Sequence, residues 1–384
     1  MVEELIVRTR AEPGRNAVDV LPGGHLFIET DAPIDTSLTP WVPLLTPIAM
    51  RRGARLRFDG PVATDALPAS RAAQAILAEW HANLTEVDVE ATWVDPAPRG
   101  TGVGLFFSGG VDSFYSALDH SSEVTHLIFV TGFDIGLRKD WLDERARAAV
   151  GEIAEELGVE LLTARTNLRR LSNRWCSWGK QYHGAALAGI AHLFSPVIGT
   201  AIIPSSHAHP WGSDPELDPL WSSTVRIVHD RPASRLAKTA RVADSDLAMR
   251  HLRVCYCTHP GEYNCGRCEK CLRTMIALYS VGALERSHTF PHTVSPRAIA
   301  RLEIKAGGIV FARENLAKLR AMPVRNRPVE WALALALALA PLRGGLRTWR
   351  RSLRRSLQAI RRWTGRVRRG LGRRLRPGQS AAPV

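Results

Sequence analysis

LFFSGGVDSFYSAL, residues 105–118, is the stretch that decides the fold. An apolar run ends in Ser108-Gly109-Gly110-Val111-Asp112-Ser113, and a helical pattern follows at once. Residues 103–107 are apolar at every position but one, as expected for a central parallel strand that is buried on both faces. We therefore predict a strand, a glycine turn and a helix, in that order.

Strands and helices alternate on the carboxyl side of a turn-rich joint at residues 95–100. The predicted strands are 103–107, 125–130, 159–164 and 197–204, and the predicted helices are 112–120, 141–157 and 184–193. This alternation is typical of an α/β fold with a doubly wound parallel sheet. Ligands of such sheets bind beyond the carboxyl ends of the strands.

The alternating region is flanked by two segments of different character. Residues 1–98 predict a small α+β module, with strand-like runs at 4–7, 26–28 and 86–91 and a helix at 69–81. Residues 99–325 form the central domain, and residues 326–384 form an apolar and then arginine-rich tail. We therefore predict three parts, divided near residues 98 and 325.

The glycine turn has the composition of a phosphate cradle. Glycines allow close approach of a ligand, and the amides of residues 109–112 can point at an anion together with the positive end of the following helix. The hydroxyls of Ser108 and Ser113 can bond phosphate oxygens, and Asp112 can cap the helix or hold magnesium. The alternative is an ordinary turn in which Asp and Ser cap a helix.

Charge and apolar runs indicate a cytoplasmic protein whose basic character belongs to its tail. The net charge is +14, and residues 342–384 contain 14 arginines, no lysine and no acid, so the rest of the chain is formally neutral. The amino terminus lacks the basic and apolar pattern of a signal peptide. The longest apolar run, residues 331–340, is about half of what a membrane-spanning helix needs.

Five of the six cysteines crowd into one short segment, whereas Cys176 stands alone. The five are Cys255, Cys257, Cys265, Cys268 and Cys271. Their spacing includes C-x2-C-x2-C, which is typical of metal binding in a reducing compartment. A structural Zn²⁺ held by four of them is the first interpretation, and a [4Fe–4S] cluster is the second.

The glycine turn resembles the PP-loop, Ser-Gly-Gly-x-Asp-Ser, of the ATP pyrophosphatase superfamily, and residues 108–113 match it at every position. Members bind ATP with Mg²⁺, attack its α-phosphate with a substrate oxygen and release pyrophosphate. Ammonia, an amine or sulfur then displaces AMP. The resemblance implies that residues Phe107, Ser108, Gly109, Gly110, Val111, Asp112 and Ser113 bind ATP, with Ser108, Asp112 and Ser113 also in catalysis.

Other loops match this resemblance more loosely. Thr131 and Asp134 follow the second strand, where the family contacts adenine and ribose; the alternative is a turn with a solvated Asp. Arg235 and Lys238 could neutralise the pyrophosphate, or form a solvated basic helix face, and Lys238 is taken as a catalytic candidate. The loop 205–213 contains His207 and His209 and suits a substrate pocket, although each histidine alone could be an ordinary loop residue.

The order of the two motifs resembles the 7-cyano-7-deazaguanine synthase branch of that superfamily over residues 102–280. The second motif reads Cys265-Gly266-Arg267-Cys268-Glu269-Lys270-Cys271-Leu272-Arg273. That branch uses ATP to convert a carboxylate into an amide and then a nitrile, and it holds zinc with four cysteines. Residues 205–224 have no evident match to its base-recognition segment, so the deazaguanine substrate is not carried over.

These observations predict an ATP-dependent ligase or amidase-type enzyme that acts on a small carboxylate-like substrate. The adenylated substrate would pass to a nitrogen or sulfur nucleophile. Two alternatives stay open. One is an RNA-modifying enzyme that grips RNA through its basic tail, and the other is a non-catalytic ATP sensor on a membrane or a nucleic acid.

The tail has the pattern of a basic amphipathic helix. Apolar residues recur at three- and four-residue steps from Leu346 to Leu375, and arginines fill the other faces. Such a helix suits an anionic membrane surface, which we favour over RNA because the apolar stripe is continuous. The alternative is a solvated tail. The alternating Leu-Ala run 332–340 predicts a helix rather than a strand.

Overall fold

The protein has an α/β fold in which one ten-stranded, mostly parallel sheet is flanked by helices. The computed structural model describes residues 3–205, 210–255 and 261–345. The order of strands across the sheet is β10-β9-β6-β7-β8-β3-β2-β1-β4-β5. The strands are β1 (Glu4–Glu12), β2 (Arg15–Leu21), β3 (Gly24–Glu29), β4 (Arg55–Ala63), β5 (Val89–Val94), β6 (Gly102–Phe106), β7 (His126–Thr131), β8 (Glu160–Thr166), β9 (Ile198–Ile203) and β10 (Arg226–His229).

Twelve α-helices belong to the described residues. They are α1 (Trp41–Arg52), α2 (Ala66–Trp80), α3 (Val111–Asp119), α4 (Asp140–Leu157), α5 (Arg169–Trp175), α6 (His183–Leu193), α7 (Arg235–Ala243), α8 (Asp246–His251), α9 (Glu269–Ser280), α10 (Pro296–Ala300), α11 (Ile309–Ala321) and α12 (327–345). A π-helical turn, Trp178–Tyr182, leads into α6. The predicted helix over the Leu-Ala run is confirmed by α12.

The five strands from β6 to β10 form a parallel half-sheet whose order creates a crevice beside β6. The chain passes from β6 to β7 on one side, whereas β9 joins β6 on the other side. Connections that leave a strand in opposite directions open a crevice at the carboxyl ends, where ligands of α/β sheets bind. The predicted alternation of strands and helices is confirmed here, and the glycine turn follows β6 directly.

The strands of residues 1–98 extend this same sheet instead of building one of their own. β3 pairs antiparallel with β8 through Ile28 with Thr166 and Glu29 with Arg165. Asn167 extends the pairing, because its side chain accepts a hydrogen bond from the Phe27 amide at 3.0 Å and donates one to the His25 carbonyl at 3.1 Å. The amino-terminal α+β segment and the parallel half therefore share one sheet.

A core of almost wholly buried helices covers the sheet. Residues 41–50 of α1 and all of α6 except its first residue are buried, so these helices are apolar on every side and pack against each other. Two polar side chains in this core have their partners within it. Trp41 Nε1 donates to Asn16 at 2.7 Å, and the Tyr182 hydroxyl donates to the Leu44 carbonyl at 2.5 Å.

The chain divides into two compact units between Val294 and Ser295. The predicted boundary near residue 98 falls between β5 and β6, which lie in one sheet and one unit. The second unit contains α10, α11 and α12 among its described residues. No helix in the described ranges is long and apolar enough to cross a membrane. The predicted amphipathic helix from Leu346 onward lies outside the described residues.

Candidate anion pocket and metal centre

The glycine loop, residues 107–113, is held in shape by the hydroxyl of its last residue. Ser113 Oγ accepts hydrogen bonds from the amides of Gly110 at 3.0 Å and Ser108 at 3.3 Å. Gly109 takes a φ of 75°, a left-handed conformation that favours glycine. Phe107 lies buried below the loop, edge to face with Phe114. The sequence predicted Ser113 as a phosphate ligand, but here its buried hydroxyl is engaged with the loop's own backbone.

Asp112 joins the loop to α7 through two cations. Arg235 Nη1 lies 2.5 Å from one oxygen of the Asp112 carboxylate, and Lys238 Nζ lies 3.4 Å from the other. Lys238 also donates to the Ser205 carbonyl at 2.7 Å, at the end of β9. Burial favours a raised pKa for Asp112, but Arg235 and Lys238 outweigh it and the pKa is lowered. Asp112 is therefore a carboxylate that ties three elements together.

A pocket opens at the crevice beside β6, with a volume of about 390 Å³ including its open mouth. Its walls come from the glycine loop, the loop after β7, α7 and the cysteine segment. The lining residues are Ser108, Gly110, Val111, Asp112, Asp134, Arg235, Arg253, Val254, Cys255 and Lys270. The structure thus brings the glycine loop and the cysteine segment, predicted as separate motifs, to one site.

Arg253 lies in the pocket wall that the cysteine segment forms. We call this the cysteine wall, and we call the wall formed by the glycine loop and α7 the loop wall. Its amide donates to the Gly109 carbonyl at 2.8 Å, so the backbone of the cysteine segment is attached to the glycine loop. The residue is only 5% exposed, and its Nη2 reaches the Cys255 carbonyl at 3.3 Å. No Asp or Glu in the described ranges pairs with Arg253, and its Nε has no hydrogen-bond partner there. A buried guanidinium without a carboxylate partner can bind an anionic ligand.

Lys270 adds a second cation to the same wall. It lies between two cysteines of the cluster and faces the pocket. Burial lowers the pKa of Lys270 to about 8, the carboxylates of Asp134 and Asp112 oppose this, and Arg235 and Arg273 add to the lowering. Arg235 from α7 and Arg253 and Lys270 from the cysteine segment therefore line one pocket.

Four cysteines gather beside this wall. The sulfurs of Cys255, Cys265, Cys268 and Cys271 all lie within 4.8 Å of one another. The Sγ atoms of Cys255 and Cys268 are 3.8 Å apart, and those of Cys265 and Cys271 are 3.9 Å apart. Ligands on one tetrahedral ion with Zn–S bonds of 2.3 Å stand about 3.8 Å apart. The cluster can therefore hold a single metal ion such as zinc.

The backbone around the cluster is set up for thiolates. The Cys268 amide donates to Cys265 Sγ at 3.3 Å, and a hydrogen bond from Cys271 lowers the pKa of Cys268 and raises that of Cys271. Asn264 holds the backbone before the first cysteine of the cluster, because its Oδ1 accepts hydrogen bonds from the amides of Val254 at 2.9 Å and Cys255 at 3.2 Å. The thiolate is the form of cysteine that binds metals.

The remaining predicted residues fall in different places. Asp134 lines the pocket, whereas the buried Thr131 hydroxyl donates to Asp143 and does not face the pocket. Between them Gly132 has a φ of 103°, and a Cβ there would lie 2.0 Å from the Thr166 carbonyl. Lys238 lies behind Asp112 rather than on the pocket lining. Cys257, His207 and His209 lie outside the described residues.

An aromatic cluster borders Asp134. The rings of Phe133 and Trp178 are 4.9 Å apart, and those of Trp178 and His183 are 5.6 Å apart. Arg169 lies 4.4 Å from the Trp178 ring centroid and donates to the Phe133 carbonyl at 2.8 Å. Burial lowers the pKa of His183, while the carboxylates of Asp134 and Asp218 act to raise it.

Sequence reasoning assigned no site role to Arg253, Val254 and Lys270. Lys270 lies inside the quoted cysteine motif, and Arg253 lies two residues before its first ligand. Their position next to the clustered cysteines was the available signal, since a cysteine segment at the carboxyl edge of a sheet presents its neighbouring residues to the crevice.

Comparison with known proteins adds no relative. The chain matches no protein-family model, no curated protein and no solved structure.

Proposed function

We propose that the pocket binds ATP and that the protein is a ligase or amidase-type enzyme which adenylates a substrate oxygen. The observation that carries this proposal is Arg253, a buried cation with no carboxylate partner in the described ranges, placed beside a glycine loop. Such an arrangement is stable when an anion fills the pocket. Its position at the crevice of a parallel half-sheet supports a nucleotide as that anion.

Charge balance supports a polyphosphate rather than a single small anion. The cations Arg235, Arg253 and Lys270 line the pocket, and the acids Asp112 and Asp134 line it as well. Asp112 already pairs with Arg235 and with Lys238 behind the lining. Three cations and two acids thus line the pocket, Lys238 adds a positive charge behind Asp112, and the loop amides add partial charges at the start of α3.

The reaction would proceed in two displacements. A substrate oxygen attacks the α-phosphorus of ATP, and the bond to the bridging oxygen breaks to release pyrophosphate. A nitrogen or sulfur nucleophile then attacks the carbon that bears the adenylated oxygen. The bond between that carbon and the oxygen breaks, and AMP leaves with the oxygen. Magnesium bound with ATP would neutralise part of the phosphate charge.

The residues of this chain would divide the work by position. Ser108 and the loop amides would hold phosphate oxygens, and Arg253 and Lys270 would stabilise the charge that shifts to pyrophosphate. Asp134, which lines the pocket, would bond the ribose. Ser113 and Lys238 would act as positioning residues, because one shapes the loop and the other holds Asp112.

Zinc is the metal that we propose for the cysteine cluster. The two short sulfur separations, 3.8 and 3.9 Å, match one tetrahedral ion. A four-iron cluster carries each thiolate on a different iron, which requires wider separations. Bound zinc would fix the segment from Cys255 to Cys271 and with it the positions of Arg253 and Lys270.

Product analysis with Mg-ATP tests the proposal. The full chain is incubated with a small-metabolite extract and separately with RNA, and AMP, ADP and pyrophosphate are quantified. We expect AMP and pyrophosphate in equal amounts from the metabolite extract. Arg253→Ala should abolish them, and Arg231→Ala should not, because Arg231 is an exposed arginine outside the pocket.

The other products identify the alternatives. AMP formation that requires RNA would favour the RNA-modifying enzyme, whose binding would also weaken steeply with salt. ATP binding by calorimetry without AMP from either fraction would favour the sensor. Absence of ATP binding altogether would reject the nucleotide site itself.

A further inference from the structure

Helix α12 presents an apolar face to solvent. Residues 331–342 are apolar without exception, and only part of the apolar surface that they form is buried. Trp331 is 66% exposed, Leu335 is 50% exposed and Leu342 is 66% exposed. With the exposed Ala338 they recur at steps of four, three and four residues, which places them on one side of the helix. We call these four residues the outer stripe.

The opposite side of the same helix is buried. Leu333 is 2% exposed and Ala336 is fully buried, so the helix is anchored by one face while the outer stripe remains uncovered. A helix that is apolar on all sides is normally enclosed, and a continuous exposed apolar patch marks an interaction surface.

We propose that the outer stripe lies on an anionic phospholipid surface. The charge of the neighbouring sequence, the apolar side chains of the stripe and the ring of Trp331 select this partner. The sequence that continues from the stripe, residues 343–384, carries 14 arginines and neither lysine nor acid. Anionic headgroups attract such a segment, while acyl chains accept the apolar side chains beside it. Trp331 has the amphipathic ring that is enriched at the membrane interface.

The acid in the helix does not oppose this placement. Glu330 is 4% exposed, and its carboxylate pairs with Arg325 and with Arg320 at 3.5 Å. Its charge is therefore covered and neutralised rather than presented to lipid. A second copy of the chain is a weaker partner, because both copies carry the same net charge of +14.

Nucleic acid matches the arginines but not the stripe, since phosphates bind cations and offer no apolar surface to Leu335 and Leu342. The helices of the described residues also do not span a bilayer. The stripe would therefore lie in the plane of the interface, with its side chains inserted to the depth of the headgroup boundary.

Vesicle sedimentation with the full chain tests the proposal. Vesicles of phosphatidylcholine alone are compared with vesicles that also contain phosphatidylglycerol, at low and high salt. We expect binding to the anionic vesicles that weakens with salt. Leu335→Glu should weaken it about tenfold or more, because it removes one inserted apolar side chain and adds a repelled charge.

Val310→Glu is the matched control. Val310 on α11 is 49% exposed, almost the same as Leu335, and it lies outside the stripe. It should bind vesicles like the wild type, and thermal melting should show that both variants are folded. A second variant, R350Q/R351Q/R354Q/R355Q, should lose the preference for anionic over neutral vesicles.

Four outcomes would overturn the proposal. They are absence of wild-type binding to anionic vesicles, equal binding to neutral vesicles, equal losses in Leu335→Glu and Val310→Glu, and self-association that Leu335→Glu abolishes without any vesicle binding. RNA binding that Leu335→Glu leaves unchanged, in a chain that ignores vesicles, would assign the arginines to nucleic acid instead.

Discussion

The two walls of the pocket solve the problem of buried charge in opposite ways. On the loop wall, the Asp112 carboxylate pairs with both Arg235 and Lys238, and the Ser113 hydroxyl satisfies two loop amides. On the cysteine wall, Arg253 is buried without a carboxylate partner in the described ranges. Paired charges hold a shape, whereas an uncompensated charge stores binding energy for a ligand. In the proposed site, the ion pairs of the loop wall would keep the loop in shape, and the cysteine wall would supply the cation that meets the charge of the ligand.

This division also gives the cysteine cluster a role beyond local folding. An uncompensated guanidinium stays buried only where the backbone around it is fixed. Asn264 and the Gly109 carbonyl fix one end of the Arg253 segment, and the four cysteines fix the other. Removing the proposed metal should therefore let the cysteine wall move and leave the loop wall in place.

Loss of the metal is the largest effect that we expect. Cys265→Ser should lose the bound ion, lower stability by an amount on the order of 5 kcal/mol and abolish ATP binding, because metal binding energy is folding energy for this segment. Elemental analysis, thermal melting and calorimetry measure the three quantities.

Cys176→Ala is the control for that variant. Burial raises the pKa of the Cys176 thiol to about 12, so it remains a protonated thiol away from the cluster. Metal content and ATP affinity should be unchanged in it. Full ATP affinity in metal-free Cys265→Ser would show that the cysteine wall stands without its ion.

Arginine variants on the two walls should separate binding from stability. Arg253→Met should weaken ATP binding by about 10- to 100-fold, the value of one charged hydrogen bond or more, with no loss of stability. Arg235→Met should lower the free energy of unfolding by about 1–2 kcal/mol, because it removes one partner of the Asp112 carboxylate. The expected loss is smaller than for a fully buried ion pair, because this carboxylate is a third exposed and solvent screens the pair.

Calorimetry and urea unfolding of both arginine variants measure this contrast. The reverse pattern, with Arg253→Met unstable and Arg235→Met unable to bind, would exchange the roles of the two walls. Equal changes of ATP affinity and stability in the two variants would show that the two walls do not have different roles.

What the sequence could predict was local. The order of strand, glycine turn and helix at residues 105–118 follows from neighbouring residues, and the structure confirms it with β6 and α3. Spacing alone left five cysteines in competition for four ligand positions. The geometry brings Cys255, Cys265, Cys268 and Cys271 together among the described residues, and Cys257 lies outside them.

What the sequence could not predict depends on distant partners. Pairing of β3 with β8 joins residues about 140 positions apart, and no local pattern specifies it. Arg253 reaches Gly109 across a similar separation, so its site role emerges only from the folded sheet. Ser113 shows the converse: its residue type suited a phosphate ligand, but packing turned its hydroxyl toward the loop backbone.

Serine variants within the glycine loop should give a smaller contrast. Ser113→Ala should lower stability by about 1 kcal/mol, because it leaves the amides of Ser108 and Gly110 without their acceptor. Ser108→Ala should leave stability unchanged and weaken ATP binding a few-fold, since the exposed Ser108 hydroxyl lines the pocket. Identical stability in the two variants would argue against a positioning role for Ser113.

The smallest effect that we expect is a pH dependence of stability at the carboxyl end of α3, the helix that begins in the loop wall. His120 Nε2 lies 2.9 Å from the carboxylate of Asp230, whose other oxygen accepts from Ser116. Burial acts to lower the pKa of His120, but Asp230 and Glu123 outweigh it and the pKa is raised above its usual 6.5. A raised folded-state pKa contributes stability that is complete below about 6.5 and is lost as pH rises through the folded value.

Urea unfolding of wild type and His120→Gln from about pH 5 to about pH 9 measures that contribution. The stability advantage of the wild type should be largest at acid pH and should shrink as His120 loses its proton. ATP affinity should be equal in the two proteins at every pH, because this pair supports the scaffold end of α3. A constant advantage across the range would mean that His120 contributes by packing alone, and an ATP affinity that followed the same pH curve would extend the binding machinery into the loop wall.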